Sequence, residues 1–120
     1  MQALKIEATD QTPKVVLNKD TNTFEFSGRS LTDKALEFYS PVMQWMTDYA
    51  KTPNAKTEVV FKMEYMNTAS SKALFDLFAV LQTVSGSKIV WCFADEDEDM
   101  EETGEEFSAL VKIPFEMRAI

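Results

Sequence analysis

A cluster of small polar side chains, Asn67, Thr68, Ser70 and Ser71, stands directly before Lys72. Each of the four can accept a hydrogen bond from a free N–H group at the start of a helix, and this capping role is the one that the residues by themselves favour. A hydroxyl there can instead carry a phosphate, whose charge of about −1.5 to −2 suits a helix N-terminus with Lys72 one turn inside the helix. The cluster therefore predicts either a simple helix cap or a phosphorylation site that changes the surface offered to a partner.

A second cluster is acidic, because nine of the twenty acidic residues and no basic residue lie between Asp95 and Glu106. The spacing of oxygen ligands in an EF-hand calcium loop is found at Asp95, Asp97, Asp99, Thr103 and Glu106. Met100, however, stands where that loop requires glycine. A solvated loop followed by an acidic first helical turn is the simpler interpretation. Weak binding of a divalent cation, or attraction of a basic partner, are the alternatives.

Several familiar kinds of catalysis are excluded by the residue types present. Histidine is absent and Cys92 is the only cysteine, which rules out Ser/His and Cys/His triads, zinc sites of the usual kind and an internal disulfide. With three glycines there is no glycine-rich loop for a nucleotide phosphate. Neither Ser70 nor Ser71 forms a catalytic dyad with Lys72, because helical residues one or two positions apart do not face each other. We therefore expect no cofactor and no enzymatic activity.

The charge of the chain limits its partners. The formal net charge is −8, from 12 basic and 20 acidic residues, so most of the surface repels nucleic acid and acidic membranes. The longest apolar run, residues 89–94, is far too short to cross a bilayer, and the N-terminal residues lack a basic stretch followed by an apolar one. We expect a soluble cytoplasmic protein that binds neither nucleic acid nor membrane.

The length of 120 residues predicts one domain, residues 1–120. Alternation of apolar and polar residues from Leu4 predicts a first strand. Residues 13–17 and 23–27 predict two more strands around a tight turn at residues 18–22. These three strands would form an antiparallel ribbon that ends at Gly28.

A helix is predicted from Asp33 to Lys51, where apolar residues recur at helical spacing. They form two adjacent stripes: Leu36, Tyr39, Met43, Met46 and Ala50, beside Phe38, Val42, Trp45 and Tyr49. This apolar arc is wide for a surface helix, and we interpret all of it as core in preference to a partly exposed docking face. Ser40 and Pro41 predict a kink or a restart, because proline removes a backbone donor.

The rest of the chain alternates strand and helix. Residues 57–66 predict a strand, and residues 88–94, apolar throughout apart from Lys88, predict a central strand covered by helices on both faces. The helix between them would close at Gly86. The last helix would turn four apolar residues inward: Met100, Phe107, Leu110 and Val111. Pro114 would separate that helix from a short final strand. This order predicts an α/β domain in which an antiparallel ribbon is followed by alternating helices and strands, forming a mixed sheet with helices packed on it.

Six motifs stand in a particular order along the chain. They are LKIEAT at 4–9 with TP at 12–13, FSGRS at 26–30, FYSP at 38–41, YMNTASSK at 65–72, DEDEDM at 95–100 and FSALVKIPF at 107–115. Together they cover essentially the whole chain and resemble the SiaC family of bacterial regulatory phosphoproteins. The resemblance implies a fold similar to that of STAS-type anti-sigma-factor antagonists, which are small α/β domains that work by partner switching.

The same resemblance implies a role for the hydroxyl cluster. Thr68 matches the family's phosphorylated threonine, while Asn67, Ser70, Ser71 and Lys72 complete the switch segment in supporting roles. A protein kinase would modify Thr68 and a PP2C-type phosphatase would restore it. The unmodified form would bind and stimulate a diguanylate cyclase, and so act in the cyclic-di-GMP signalling that controls aggregation and biofilm formation.

A second hypothesis comes from the residues alone and belongs to a different class. The acidic segment from Asp95 to Glu106 could make the chain a binding module that responds to divalent cations. Its weak ligand set would be Asp95, Asp97, Asp99 and Glu106.

Overall fold

A six-stranded mixed sheet runs through the chain in a computed structural model that describes residues 1–120. Its strands are β1 (Leu4–Ile6), β2 (Lys14–Asn18), β3 (Thr23–Ser30), β4 (Thr57–Met66), β5 (Ser87–Phe93) and β6 (Phe115–Ala119). They lie side by side in sequence order, with β1–β2 and β2–β3 antiparallel and the other three pairs parallel. The parallel strands are connected by α1 (Ala35–Tyr49), α2 (Thr68–Leu81) and α3 (Glu98–Leu110). The predicted ribbon followed by alternating helices and strands is confirmed.

All three helices pack on one face of the sheet. An aromatic pair joins each helix to a strand: Phe24 with Tyr49 of α1, Phe61 with Phe78 of α2, and Trp91 with Phe107 of α3. The helices share a side because successive right-handed crossovers, made in one direction along a sheet, return to the same face. No helix has both the length and the apolar surface that a bilayer span needs.

The opposite face carries no helix, so the prediction that helices cover β5 on both faces is wrong, although β5 is buried on both faces. Val90 and Cys92 point to this open face and are nevertheless almost completely buried. The register places Val90 between Val60 and Glu116, and Cys92 beside Arg118, so that side chains of the neighbouring strands exclude water from them. Burial raises the pKa of the Cys92 thiol, which keeps it protonated at neutral pH.

Most of the apolar arc of α1 belongs to the core, as predicted, and Tyr39 and Trp45 are both buried. Leu36 is different, because its side chain is 78% exposed. The interpretation of the whole arc as core is therefore wrong at Leu36, where the small side chain of Ala73 on α2 does not reach far enough to cover it. The inward position predicted for Leu110 is wrong as well, since this last residue of α3 is 67% exposed.

Three predicted boundaries differ in the structure. α1 continues without a restart through the exposed Pro41, which has no N–H to donate to the carbonyl of Glu37. β3 continues two residues beyond Gly28. Gly86 lies in the turn before β5, with φ of +77°, and does not cap α2, which has ended five residues earlier. Glycine is required in this turn because a Cβ would overlap the carbonyl oxygen of Ala55.

A chain of buried hydroxyl groups connects the end of β3 to both α1 and α2. Ser30 Oγ donates to Ser70 Oγ at 2.6 Å and lies 2.9 Å from the hydroxyl oxygen of Tyr39. All three residues are at most 1% exposed. Two further bonds hold the residue before α2, because the backbone N–H of Asn67 donates to Ser30 O at 3.0 Å and its side-chain amide donates to Thr32 O at 3.1 Å. The first turn of α2 is therefore fixed in position.

Gly104 sets how closely α3 approaches the sheet. A Cβ there would overlap the indole ring of Trp91 and lie 2.7 Å from Met117 Cε. We expect Gly104→Ala to lower the free energy of unfolding by about 1–3 kcal/mol through overpacking, although alanine favours a helix over glycine by about 1 kcal/mol. Urea denaturation measures the change, and comparison of Glu105→Ala with Glu105→Gly at an exposed interior site of α3 reports helix propensity alone. A Gly104→Ala protein more stable than the wild type would contradict the close approach.

The buried Tyr39 hydroxyl makes the protein less stable at alkaline pH. Burial raises the pKa of Tyr39 to about 12, although its hydrogen bond with Ser30 acts in the opposite direction. An unfolded tyrosine ionises near pH 10. The contribution of Tyr39 to the free energy of unfolding is therefore complete below about pH 10. About 3 kcal/mol of it is lost as the pH rises toward 12. Urea unfolding at stepwise pH should show this loss in the wild type and a smaller one in Tyr39→Phe. If the free energy of unfolding fell equally with pH in the two proteins, Tyr39 would not be the cause of the loss.

Candidate functional site

The site lies where the carboxyl end of β4 meets the N-terminus of α2. Asn67 caps the helix, as predicted: its side-chain oxygen accepts from the N–H of Ser70 at 2.8 Å, and its carbonyl accepts from the N–H of Ser71 at 3.0 Å. The backbone N–H groups of Thr68 and Ala69 belong to the first helical turn, where the chain offers them no partner. Two donors and the positive end of the helix dipole therefore face solvent at Thr68.

The three hydroxyls of the cluster differ in accessibility. Thr68 is exposed, Ser71 is half-buried and Ser70 is completely buried. Thr68 and Ser70 are two residues apart, which places them about 200° apart around the helix axis. Ser70 faces the core and binds Ser30, whereas Thr68 faces solvent. Only Thr68 presents a freely accessible hydroxyl.

Ser71 borders an acidic cavity between α2 and the start of α3. The cavity has a volume of about 270 Å3, and carboxylates of Glu64, Asp97 and Asp99 line it. A phosphate on Ser71 would be repelled by these groups. Ser71 is thus a much poorer position for an added anion than Thr68.

Lys72 is exposed and lies four residues after Thr68. Helical residues at this spacing lie on the same side of the helix, about one turn apart. Lys72 is therefore the positive side chain of α2 that is best placed to interact with an anion at Thr68.

The acidic segment does not form a calcium loop. Asp97 is the N-cap of α3, and its carboxylate accepts from the N–H of Met100 at 3.0 Å. Asp99, Thr103 and Glu106 lie within α3, so they are spread along a helix and do not surround a common point. No three acidic or cysteine side chains form a group that could hold a metal ion, and this includes the three carboxylates that line the cavity beside Ser71. The geometry gives the divalent-cation hypothesis no support.

An apolar groove lies between α1 and α2, where the sequence interpretation preferred a fully buried arc of α1 to a partly exposed docking face. One cavity, of about 300 Å3, is lined by Leu36, Tyr39, Ser40, Met43, Ala73 and Asp76. A second cavity, of about 290 Å3, shares Leu36 and Ala73 with the first and continues toward Thr68 along Ala69 and Lys72. We call the two together the α1–α2 groove. The signal for this groove was the wide apolar arc of α1. An arc that is broader than the core requires leaves some of its apolar residues uncovered.

Comparisons with known proteins agree with this fold. The chain matches the SiaC family of regulatory phosphoproteins over residues 6–120. A protein of Pseudomonas aeruginosa strain UCBPP-PA14 is 25% identical to it over 123 aligned positions, which cover 99% of this chain and 98% of that protein.

Two solved structures are also similar to this chain. The crystal structure of apo-SiaC from P. aeruginosa superposes with a TM-score of 0.89 at 24% identity, covering 99% of this chain and 100% of the other. SiaC in the crystal structure of the diguanylate cyclase SiaD with its activator SiaC, also from P. aeruginosa, gives a TM-score of 0.88 at 23% identity, covering 98% of this chain and 99% of the other.

The match to the family extends from Ile6, the last residue of β1, to the last residue of the chain. This chain belongs to the SiaC family of regulatory phosphoproteins.

Proposed function

We propose that this chain is a regulatory protein that is switched by reversible phosphorylation of Thr68, and that its unmodified form binds and stimulates a diguanylate cyclase. The observation that carries the proposal is the difference among the hydroxyls: Thr68 is exposed beside free N–H groups, while Ser70 is buried and Ser71 faces carboxylates. Membership of a family of regulatory phosphoproteins supports a phosphate on this chain. The complex of the P. aeruginosa relative with SiaD supports a diguanylate cyclase as the partner.

The N-terminus of α2 can receive a phosphate without unfolding. The free N–H groups of Thr68 and Ala69, the helix dipole and Lys72 all favour a negative charge there. The cap at Asn67 and the buried Ser70 hydroxyl are bonded elsewhere, so the phosphate does not have to break them. The modified chain therefore keeps its fold and changes only its surface.

The changed surface is what alters binding. A phosphate brings a charge of about −1.5 to −2 and a large hydration shell. In a closed interface that charge must find a cation or prevent docking. The proposed switch is thus a change in affinity for the cyclase, with the unmodified chain as the binding form.

The chain itself would perform no catalysis in this cycle. A protein kinase would transfer phosphate from ATP to Thr68, a PP2C-type phosphatase would remove it, and the cyclase would make cyclic di-GMP from GTP. Both nucleotides are cytoplasmic substrates, and we place the cycle in the cytoplasm.

Mass spectrometry of the protein purified from its own host tests the modified residue. Trypsin releases the peptide from Met63 to Lys72, which contains all three hydroxyls of the cluster. We expect phosphate on Thr68 and none on Ser70 or Ser71, because only Thr68 is freely exposed. A Thr68→Ala strain is the control and should yield the peptide unmodified. Phosphate on Ser71, or a well-covered peptide that is never modified under any growth condition, would refute the proposed site.

Charge substitution at Thr68 tests the switch. With purified diguanylate cyclases of the host as partners, Thr68→Ala should bind as the wild type does, whereas Thr68→Glu should bind about tenfold more weakly, a difference of about 1.4 kcal/mol. Calorimetry measures the affinity, and the rate of cyclic-di-GMP formation measures stimulation. Thr83→Glu adds the same charge at an exposed site beyond the other end of α2 and should leave both unchanged. Equal affinities for Thr68→Ala and Thr68→Glu would contradict the switch.

A further inference from the structure

Leu36 is the most exposed large hydrophobic side chain of the protein, at 78%. An isolated exposed leucine needs no explanation on a protein surface. Leu36, however, borders both cavities of the α1–α2 groove, which together extend along α2 from Ala69 to Asp76. The leucine is therefore the outer edge of a concave apolar surface.

The groove is formed before any partner arrives. Its floor contains Tyr39, which is 1% exposed and bonded to the buried Ser30 hydroxyl, and Ala73, which is 4% exposed. Small alanines on α2 leave room for an incoming side chain, and Met43 on α1 can adapt its shape to one. A partner residue would enter this site without first rearranging the helices.

The charges along the groove are unequal. Asp76 is the only charged residue that lines the cavity farther from Thr68. In the nearer cavity, the carboxylates of Asp33 and Glu37 are balanced by the amines of Lys34 and Lys72. The groove is thus apolar in the middle and has an unbalanced negative charge at its far end, where a basic side chain would be complementary.

The groove and Thr68 lie on the same side of α2. Thr68, Lys72 and Asp76 are spaced four residues apart, so they form one row along the helix. At 1.5 Å per residue the row is about 12 Å long from Thr68 to Asp76. A segment that fills the groove would therefore reach Thr68 within about two helical turns.

We propose that the α1–α2 groove is the docking site for an amphipathic segment of the diguanylate cyclase, with an apolar side chain inserted beside Leu36 and a lysine or arginine against Asp76. The inference rests on the proposed function, because that function supplies the partner. Charge complementarity favours this occupant over a second copy of the chain, since a second copy would bring another formal charge of −8 to a groove whose one unbalanced charge is already negative. The location explains how one phosphate at Thr68 controls docking without altering the fold.

A matched pair of leucine substitutions tests the groove. Leu36 and Leu110 are both exposed, at 78% and 67%, and both lie on helices, so aspartate adds the same charge at either with little effect on folding. Against a purified host cyclase that binds the wild-type chain, Leu36→Asp should weaken binding at least tenfold and Leu110→Asp less than twofold. Asp76→Asn should weaken binding several-fold and reduce its dependence on salt concentration. Thermal melting of each variant verifies the fold.

The outcomes separate this inference from the proposed function. If the wild type binds a cyclase and Leu36→Asp binds equally well, the groove is not the docking site, although the function stands. Equal losses for Leu36→Asp and Leu110→Asp would also overturn it, because added charge alone would then explain them. If Leu36→Asp changes the oligomeric state measured by light scattering and leaves cyclase affinity intact, a second copy occupies the groove. If the wild type binds no cyclase of the host, the proposed function and the assigned occupant are both wrong.

Discussion

The pairing of β3 with β4 is the constraint on which the site depends. The parallel register puts Ser30 opposite Met66, so the residue after β4, Asn67, meets the end of β3 and bonds to Ser30 O. The same serine donates a hydrogen bond to Ser70 in the first turn of α2. With Ser70 turned toward the core, helical geometry turns Thr68 to the opposite side, toward solvent. The exposed threonine is thus a consequence of a strand register and of one buried hydroxyl.

The fold could largely be predicted from the sequence, because local hydrophobic period distinguishes strands from helices. The alternating strand at 57–66 and the ribbon before Gly28 are examples that the structure confirms, apart from small shifts at their ends. The covering of β5 could not be predicted. An apolar run such as that around Val90 and Cys92 has the same sequence whether a helix or the side chains of neighbouring strands cover it. That information lies in strands that are distant in the sequence.

The site could be predicted only in part. Composition identified the cluster at the start of α2, and the family resemblance selected Thr68 within it. Residue type alone did not distinguish Thr68 from Ser70, since that difference comes from the contact of Ser70 with Ser30 across 40 residues of sequence. Leu36 was misjudged for a related reason: helical period shows which face of α1 it occupies, and the size of the opposing residue, Ala73, decides whether that face is covered there.

The distances also limit how a phosphate at Thr68 can act. Exposed charges are screened over about 8 Å at physiological ionic strength, and the far end of the groove at Asp76 lies about 12 Å from Thr68 along the helix. The electrostatic effect of the phosphate through solvent would therefore be weak at that end. A phosphate would act strongly only on partner groups that cover Thr68 itself. These groups would strip water from the phosphate, and that loss of hydration is large. The proposed switch thus requires the cyclase to cover Thr68 as well as Leu36, and an interface confined to Asp76 and Met43 would escape control.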